Sequence, residues 1–540
     1  MLSSKLSVSM LSTLLRRHGI RDVVLSPGSR NVPLIHNFTA DPYFECRLVS
    51  DERSAAFFAL GIALRTGKPC AVCCTSGSAL LNMHSAVSEA YYQKVPLLVI
   101  SADRSKAYIS QKDGQTLEQD GVFGYLAKRS VELPQVRDDD DTETYWFCSR
   151  LINEALAEVR AAPRGPVHIN VPISDPLFEY GGREPQTGFF ERTGLTEAVD
   201  FTLKFKKRLL VIGQRSERLA PDRDTLRRLE ENFLVFSEHL SNVRGLKLGS
   251  ALDLALAGKG DHRELAPEVV VSMGGHVISK RLKQYLRSLD CPHVSFDDGY
   301  ADTFMNMRYL VKGCPDEEVL CVLAAMDSPC DRAYLKAVRD KCSGLTDRKF
   351  PYSHMQVIKR VFSLLRDGDH LHLGNSSSVR HAELFSTAAD VQVMCNRGVN
   401  GIDGSLSTAM GYANDSAGMN YAVLGDLSFF YDANALWQPQ VPKNIKIVLI
   451  NNRGGGVFPT IKGFKVEGHA RHFVLADHEH SAEHLCRGAG LGYFSAHDQK
   501  SLDEAFEAFA SHEGPCLLEC RTSIDKDMEA LRDFLSTIDR

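Results

Sequence analysis

The chain comprises 540 residues, 44% hydrophobic and 24% charged, with 63 Lys and Arg against 68 Asp and Glu for a net charge of −5. That composition excludes a disordered, collagen-like, rod-like or disulfide-dense protein, and the lack of a long basic run removes the electrostatic footprint of a nucleic-acid binder. At about 150 residues per domain, the length predicts roughly three to four domains, each with its own core.

At the N-terminus, Leu2, Leu6, Met10, Leu11, Leu14 and Leu15 recur at helical spacing ahead of Arg16, Arg17, His18 and Gly19. This predicts an amphipathic helix with a basic, glycine-closed C-terminal end, not a secretory leader with a continuous apolar stretch. No run approaches 18 uninterrupted apolar residues, so no membrane span is expected and the cytoplasm is the expected compartment. The acidic run Asp138 to Asp141, followed by Thr142 and Glu143, predicts a helix start. The 14 cysteines are scattered, and the tightest groups, Cys70/Cys73/Cys74 and Cys516/Cys520, lie in apolar runs. Buried free thiols are therefore expected in place of metal or redox chemistry.

Further along, RDVVLSPGSR reads as a strand entering a turn, SAAFFALGIALRTG as a helix closed by Gly67, PCAVCCTSG as a strand, ALLNMHSAVSEAYYQ as a helix and VPLLVISADR as a strand. Apolar runs of strand length alternating with helical patterns predict a parallel sheet covered on both faces. In such doubly wound folds ligands sit at the carboxyl ends of the strands. Turn-rich stretches, GGREPQTG and SGLTDRKFPYSH, bound a middle segment with strand candidates RLLVIGQ, FLVFSE, VVVSMGG and HVSFDDG. The predicted domains are residues 1–185, 186–345 and 346–540.

A constant offset of 350 residues relates the first segment to the third: Arg30 meets Arg380, ALGIA at Ala59 meets AMGYA at Ala409, Ser76 meets Asp426 and Ile100 meets Ile450. Agreement of small residues, apolar runs and turn signals over about eighty positions marks a duplicated α/β unit. The fold expected is three doubly wound parallel-sheet domains, the first and third an internal repeat.

In the third segment Asp426 follows the apolar run NYAVL, and Asn452 follows IKIVLIN 26 positions later. Both are expected at the sheet's carboxyl edge, where a carboxylate, an amide oxygen and the Gly454 carbonyl form a hard oxygen set of the kind Mg²⁺ prefers when it holds a diphosphate. The glycines after Asn452 allow close approach of backbone to phosphate oxygens. Read alone, Asp426 could equally cap a helix and Asn452 sit in a turn.

GD followed by about 25 residues and NN resembles the signature of thiamin-diphosphate-dependent enzymes, whose domains are described as pyrimidine-binding, middle and diphosphate-binding. Within that class, SPGSR at Ser26, DERSAAFFALG at Asp51, ADR at Ala102, GQT at Gly114, NRGVNGIDG at Asn396, GDLSFFYD and NNRGGGVF resemble the 2-succinyl-5-enolpyruvyl-6-hydroxy-3-cyclohexene-1-carboxylate synthase (MenD) family of menaquinone biosynthesis. The resemblance covers both outer segments nearly throughout, and the middle one chiefly through Lys280 and Arg281. Leu427, Arg453 and Ser105 depart from the commoner residues at those motif positions.

The resemblance implies a transferase that decarboxylates 2-oxoglutarate and adds the remaining four-carbon unit to isochorismate. It implies thiamin diphosphate with Mg²⁺ or Mn²⁺ as cofactors, and a homodimer or homotetramer with active sites at the subunit interface. Glu52 is the implied carboxylate at N1′ of the cofactor's aminopyrimidine, favouring the imino tautomer that takes the thiazolium C2 proton. Gln115 and Arg30 are the other implied catalytic residues. Ser376 and Ile402 join Asp426, Asn452 and Gly454 around the cofactor, the last three as metal ligands. Ser29, Arg30, Arg104, Gln115, Lys280, Arg281, Arg380, Arg397, Val457 and Phe458 are the implied substrate contacts. Guanidinium forks suit anionic substrates because they bind carboxylates bidentately and stay charged. Arg30, Arg104, Arg380 and Arg397 are expected at strand ends or in turns. No histidine is given a role in the chemistry.

Overall fold

A computed structural model describes the chain except for residues 139, 244, 246–250, 259, 415, 438–440, 462 and 539–540. The backbone divides into two compact units: residues 1–194 with 292–312, and residues 195–291 with 313–540.

The first unit is built on a six-stranded sheet in the order Glu45–Leu48, Asp22–Leu25, Cys70–Cys74, Leu97–Asp103, Val167–Pro172, Arg129–Glu132, all parallel. The second carries a sheet in the order Gln392–Met394, His370–Leu373, Asn420–Gly425, Ile445–Asn451, Cys516–Arg521, Gly492–Ala496, again all parallel. The two orders are the same permutation of chain order, and Cys70–Cys74 lies 350 residues before the stretch from Asn420, as the duplication requires. The central strands of each sheet are buried along all or nearly all of their length, which is why they read as continuous apolar runs and not as alternating ones.

Of the predicted middle strands, Arg208–Ile212, Leu234–Ser237 and Val269–Met273 form a parallel set in the second unit. His293–Phe296 forms too, pairing with Met307–Val311 in the first unit.

Three local expectations need correction. The N-terminal helix spans Leu6–Arg17, whereas Leu2 lies in a short strand paired with Tyr180–Gly182. The helix is not amphipathic in its setting, since every residue from Ser7 to Leu15 is buried. Ser9 and Ser12 can be buried because they are satisfied: Asn37 Nδ2 donates to Ser9 Oγ and Ser12 Oγ, and Ser9 Oγ donates to the Ser3 carbonyl. Finally, the single helix read over ALLNMHSAVSEAYYQ is two, Ser78–Leu81 and His84–Gln93.

Other boundaries follow their chemistry. Asp141 caps the helix Thr142–Arg160 by accepting from Thr144 N–H, as the acidic run predicts, although Asp139 lies outside the described residues. Gly67 closes the helix Glu52–Thr66 at φ +65, where a side chain would be strained. None of the 14 cysteines is in a disulfide and most are buried, but Cys321 is exposed, and Cys46, Cys314 and Cys395 are half-buried.

Candidate functional site

In a parallel sheet every strand ends on the same edge, so loops distant in sequence meet there. In the first unit that edge carries Ser29 and Arg30 after Asp22–Leu25, Glu52 after Glu45–Leu48, and Arg104 after Leu97–Asp103. Glu52 opens its helix, half-exposed, with Asn82 Nδ2 3.5 Å from its carboxylate; Asp51 performs the capping by accepting from Ser54 N–H. Ser29 is exposed. Arg30 is buried, its Nη1 donating to the Ile173 carbonyl at 3.0 Å and lying 3.3 Å from Asp175 Oδ1.

Arg104 donates from Nε to the Gly114 carbonyl at 3.0 Å, which brings it to the loop bearing Gln115. Gln115 is exposed with φ +56, an uncommon conformation for a side-chain-bearing residue, and its backbone packs on Gly77. A Cβ at Gly77 would stand 3.2 Å from the Gln115 backbone. Gln119, missed in the sequence, ties this loop to the sheet: its Oε1 accepts from Gly77 N–H at 2.7 Å, and its Nε2 donates to Asn170 Oδ1 at 2.8 Å.

The second unit places Ser376, Arg397, Asp426 and Asn452 at the corresponding edge, each just beyond a strand. Arg380 is a correction: it stands within the helix Ser377–Ala382, its Nη1 donating back to the Ser376 carbonyl at 2.8 Å. Ser376 has φ +74 and Ile402 is half-buried, its carbonyl accepting from Ser428 Oγ at 2.7 Å.

Asp426 is the first residue of the helix Asp426–Tyr431, which Gly425 caps. Its carboxylate is buried, Oδ1 accepting from Leu427 N–H at 2.7 Å and Oδ2 from Gly454 N–H at 2.9 Å. That second bond joins two of the predicted ligand positions across 28 residues. Asn452 donates from Nδ2 to Asp527 Oδ2 at 3.3 Å. Burial and the neighbouring Asp426 push the Asp527 carboxyl up to about 6. Gly454 admits no side chain, since a Cβ would lie 2.7 Å from the Leu475 carbonyl. Val457 and Phe458 are half-buried, and the Phe458 ring covers Gly455 closely enough to exclude a Cβ there.

These residues fit a diphosphate held through a hard divalent cation. The donors are oxygens, Gly425 has open space where a Cβ would project, and Ser378 Oγ, Ser405 Oγ and His478 Nε2 are buried without a hydrogen-bond partner among the described residues. A cavity of about 450 Å³ opens beside Asn452, bounded by Arg453, Arg471, Leu475, His478 and Ile524 among others.

Arg380 and Arg397 lie close enough to repel, and burial together with that repulsion lowers the Arg380 pKa. Neither forms an ion pair among the described residues. Arg397 is 7% exposed, held by Nη1 donating to Asn375 Oδ1 at 3.0 Å, with Nε unsatisfied. Asn375, absent from the sequence reading, fixes the loop by donating to the Asn396 and Gly401 carbonyls at 2.7 and 2.6 Å. Lys283 extends the cationic cluster and His276 lies beside it; burial first, and then Arg397, lowers both pKa values. By contrast, Arg281 is paired with Asp253 at 2.7 Å, and Lys280 is exposed on the same helix, Lys280–Arg287. A helix spacing of three from Lys280 could have flagged Lys283, but Asn375 left no signal beyond its position after a strand.

Residues 8–122 match the family described as thiamine pyrophosphate enzyme, N-terminal TPP binding domain, and residues 374–520 match its C-terminal TPP binding domain. The duplicated sheets are thus those of a thiamin-diphosphate-dependent enzyme. Among curated proteins, a 2-succinyl-5-enolpyruvyl-6-hydroxy-3-cyclohexene-1-carboxylate synthase from Bacteroides fragilis is 42% identical over 99% of both chains. Synthases of the same name from Phocaeicola vulgatus and Flavobacterium johnsoniae are 41% identical, covering 99% of this chain and 98% of the relative, and 36% identical over 96% of both. The chain belongs to the 2-succinyl-5-enolpyruvyl-6-hydroxy-3-cyclohexene-1-carboxylate synthase family.

Proposed function

We propose that the protein decarboxylates 2-oxoglutarate and adds the resulting succinyl semialdehyde unit to isochorismate in a conjugate, 1,4 sense, as a step of menaquinone biosynthesis. The observation that carries this reading is the pair of buried Arg397 and half-buried Arg380, two guanidinium groups without a carboxylate partner in the described structure. Unneutralised buried cations are costly unless an anion joins them, and both substrates bring carboxylates.

Thiamin diphosphate, when bound, supplies the nucleophilic carbon and the electron sink for loss of CO₂. The chain's residues supply the rest. Glu52 holds the proton at N1′ of the aminopyrimidine. Asp426, Asn452 and the Gly454 carbonyl would hold the Mg²⁺ or Mn²⁺ that serves the diphosphate, with Ser376 and Ile402 as the further cofactor contacts. Arg30, Arg104, Lys280, Arg281, Arg380 and Arg397 fix substrate carboxylates, Ser29 and Gln115 orient the acceptor, and Val457 with Phe458 excludes water.

The three-domain division at residues 185 and 345 belongs to this reading, as does a cytoplasmic location, for which the absence of a helix long and apolar enough to cross a membrane among the described residues is support. So does assembly of two or four copies with Glu52 of one serving Asp426 of another. Phe57, Phe58 and Leu64 leave the helix that Glu52 opens 41%, 49% and 51% exposed, and Tyr92 and Tyr125 are more exposed still. An apolar surface of that kind suits a second copy.

Purified protein with thiamin diphosphate, Mg²⁺ and 2-oxoglutarate is expected to release CO₂ and consume isochorismate in equal amounts. Consumption of pyruvate in place of 2-oxoglutarate would overturn the substrate assignment and leave the cofactor reading standing.

A further inference from the structure

His478 follows the helix Gly468–Leu475 and the αL residue Ala476, in a loop whose backbone returns to the ligand segment: His478 N–H donates to the Arg453 carbonyl at 3.4 Å. Its ring is held between two others and largely buried. Phe430 meets it edge-on at 5.3 Å, His480 stacks on it at 5.3 Å, and the side chain is 9% exposed. The backbone N–H of His480 donates to His478 Nδ1 at 3.1 Å. A nitrogen that accepts a backbone hydrogen carries none of its own, so the proton of the neutral ring sits on Nε2.

Nε2 is buried, has no hydrogen-bond partner among the described residues, and stands 3.4 Å from Asp426 Oδ2. That oxygen is already engaged by Gly454 N–H. The ring therefore presents one fixed, unused donor beside the buried carboxylate, at the wall of the cavity that also includes Asn452. A buried donor without a partner costs free energy, and the stacked ring cannot turn away from the position without losing its Nδ1 bond and its packing.

We infer that His478 is a further cofactor-binding residue, whose Nε2–H donates to a diphosphate oxygen of thiamin diphosphate beside the metal ligand Asp426. This rests on the cofactor assignment above. The carboxylate, amide and glycine carbonyl bind the cation and leave phosphate oxygens to be satisfied by N–H donors, and His478 is a donor whose position is set before the cofactor arrives.

The test is binding, not turnover. Metal-depleted protein in excess Mg²⁺ is titrated with thiamin diphosphate and separately with unphosphorylated thiamin, followed by calorimetry. His478→Phe keeps an aromatic ring against Phe430 and His480 but removes the donor, whereas His478→Gln restores an N–H. The Phe variant is expected to bind thiamin diphosphate about tenfold or more weakly, the scale of one hydrogen bond to a charged group, with the Gln variant recovering part of that loss and thiamin binding unchanged in both. Equal affinity of wild type and His478→Phe for thiamin diphosphate would overturn the inference. So would a parallel loss for thiamin, which marks collapse of the site and not a missing phosphate contact. Failure of the wild-type protein itself to bind thiamin diphosphate sinks the underlying cofactor reading instead, and is seen before any variant is made.

Discussion

The two duplicated sheets share strand order and a 350-residue offset, yet equivalent positions carry different chemistry. Arg30 in the first copy reaches the Ile173 carbonyl and Asp175, while Arg380 in the second lies close to Arg397 with no ion-pair partner among the described residues. Ser76, buried after a central strand, corresponds to Asp426, and Glu52 corresponds to Ile402. A parallel α/β frame is specified by apolar strands and helix faces, which the duplication keeps, whereas loops at the carboxyl edge can change charge with little cost to the core. In the function proposed above, one copy supplies the proton-handling carboxylate and the other the cation and anion sites.

That contrast can be broken from either side. Glu52→Gln in the first unit is expected to lower turnover by about 10²- to 10⁴-fold while leaving thiamin diphosphate affinity intact, since only the proton at N1′ is lost. Unchanged proton exchange at thiazolium C2, followed by NMR, removes Glu52 from the chemistry. Asp426→Ala in the second unit should do the reverse, weakening retention of Mg²⁺ and thiamin diphosphate by about a hundredfold because it deletes the sole carboxylate of a hard oxygen set. Calorimetric titration showing wild-type affinity would exclude it as a ligand.

The paired arginines sharpen the comparison at the next scale. Arg380→Ala and Arg397→Ala should each raise KM for the anionic substrates about tenfold or more, with melting temperature held or raised, because neither cation is neutralised in the free protein. Arg30→Ala should additionally lower stability by about 1–3 kcal/mol, since a buried carbonyl bond and an ion pair with the exposed Asp175 are lost. Equal melting behaviour of all three variants would erase the distinction between the two copies.

A further expected effect is common to both units. Burial holds His18 at about 4 and His168 at about 3 in the first, and His372 and His381 at about 4 in the second. Each is neutral when folded and protonates near 6.5 when unfolded, so the stability it contributes is present above pH 6.5 and is lost as pH falls toward 4. Each is expected to withdraw about 1–3 kcal/mol by pH 4.5, seen as a falling melting temperature. Replacing His168, which Ser101 and Ser130 flank, by Gln should flatten part of that slope; a slope identical to wild type counts against it.

The sequence by itself determined the parallel α/β frame, the duplication, and the placement of Asp426 and Asn452 at strand ends. Those follow from apolar periodicity and short-range spacing, which act within a few residues of chain. The charge state of the site was decided by tertiary structure. Arg30 and Asp175 are 145 residues apart, and Arg281 meets Asp253 from a separate helix, so nothing local distinguishes these neutralised arginines from the unpaired Arg380 and Arg397. The same holds for the serines of the first helix, buried only because Asn37 reaches them, and for Asn375, whose clamp joins three loop positions. His478 is the plainest case: in the sequence it is one histidine among 19, and only the fold supplies the His480 amide that sets its tautomer and the burial that leaves its other nitrogen waiting for a partner. Hydrogen bonds and ion pairs act over a few ångströms of space, and the chain brings those ångströms together only when it folds.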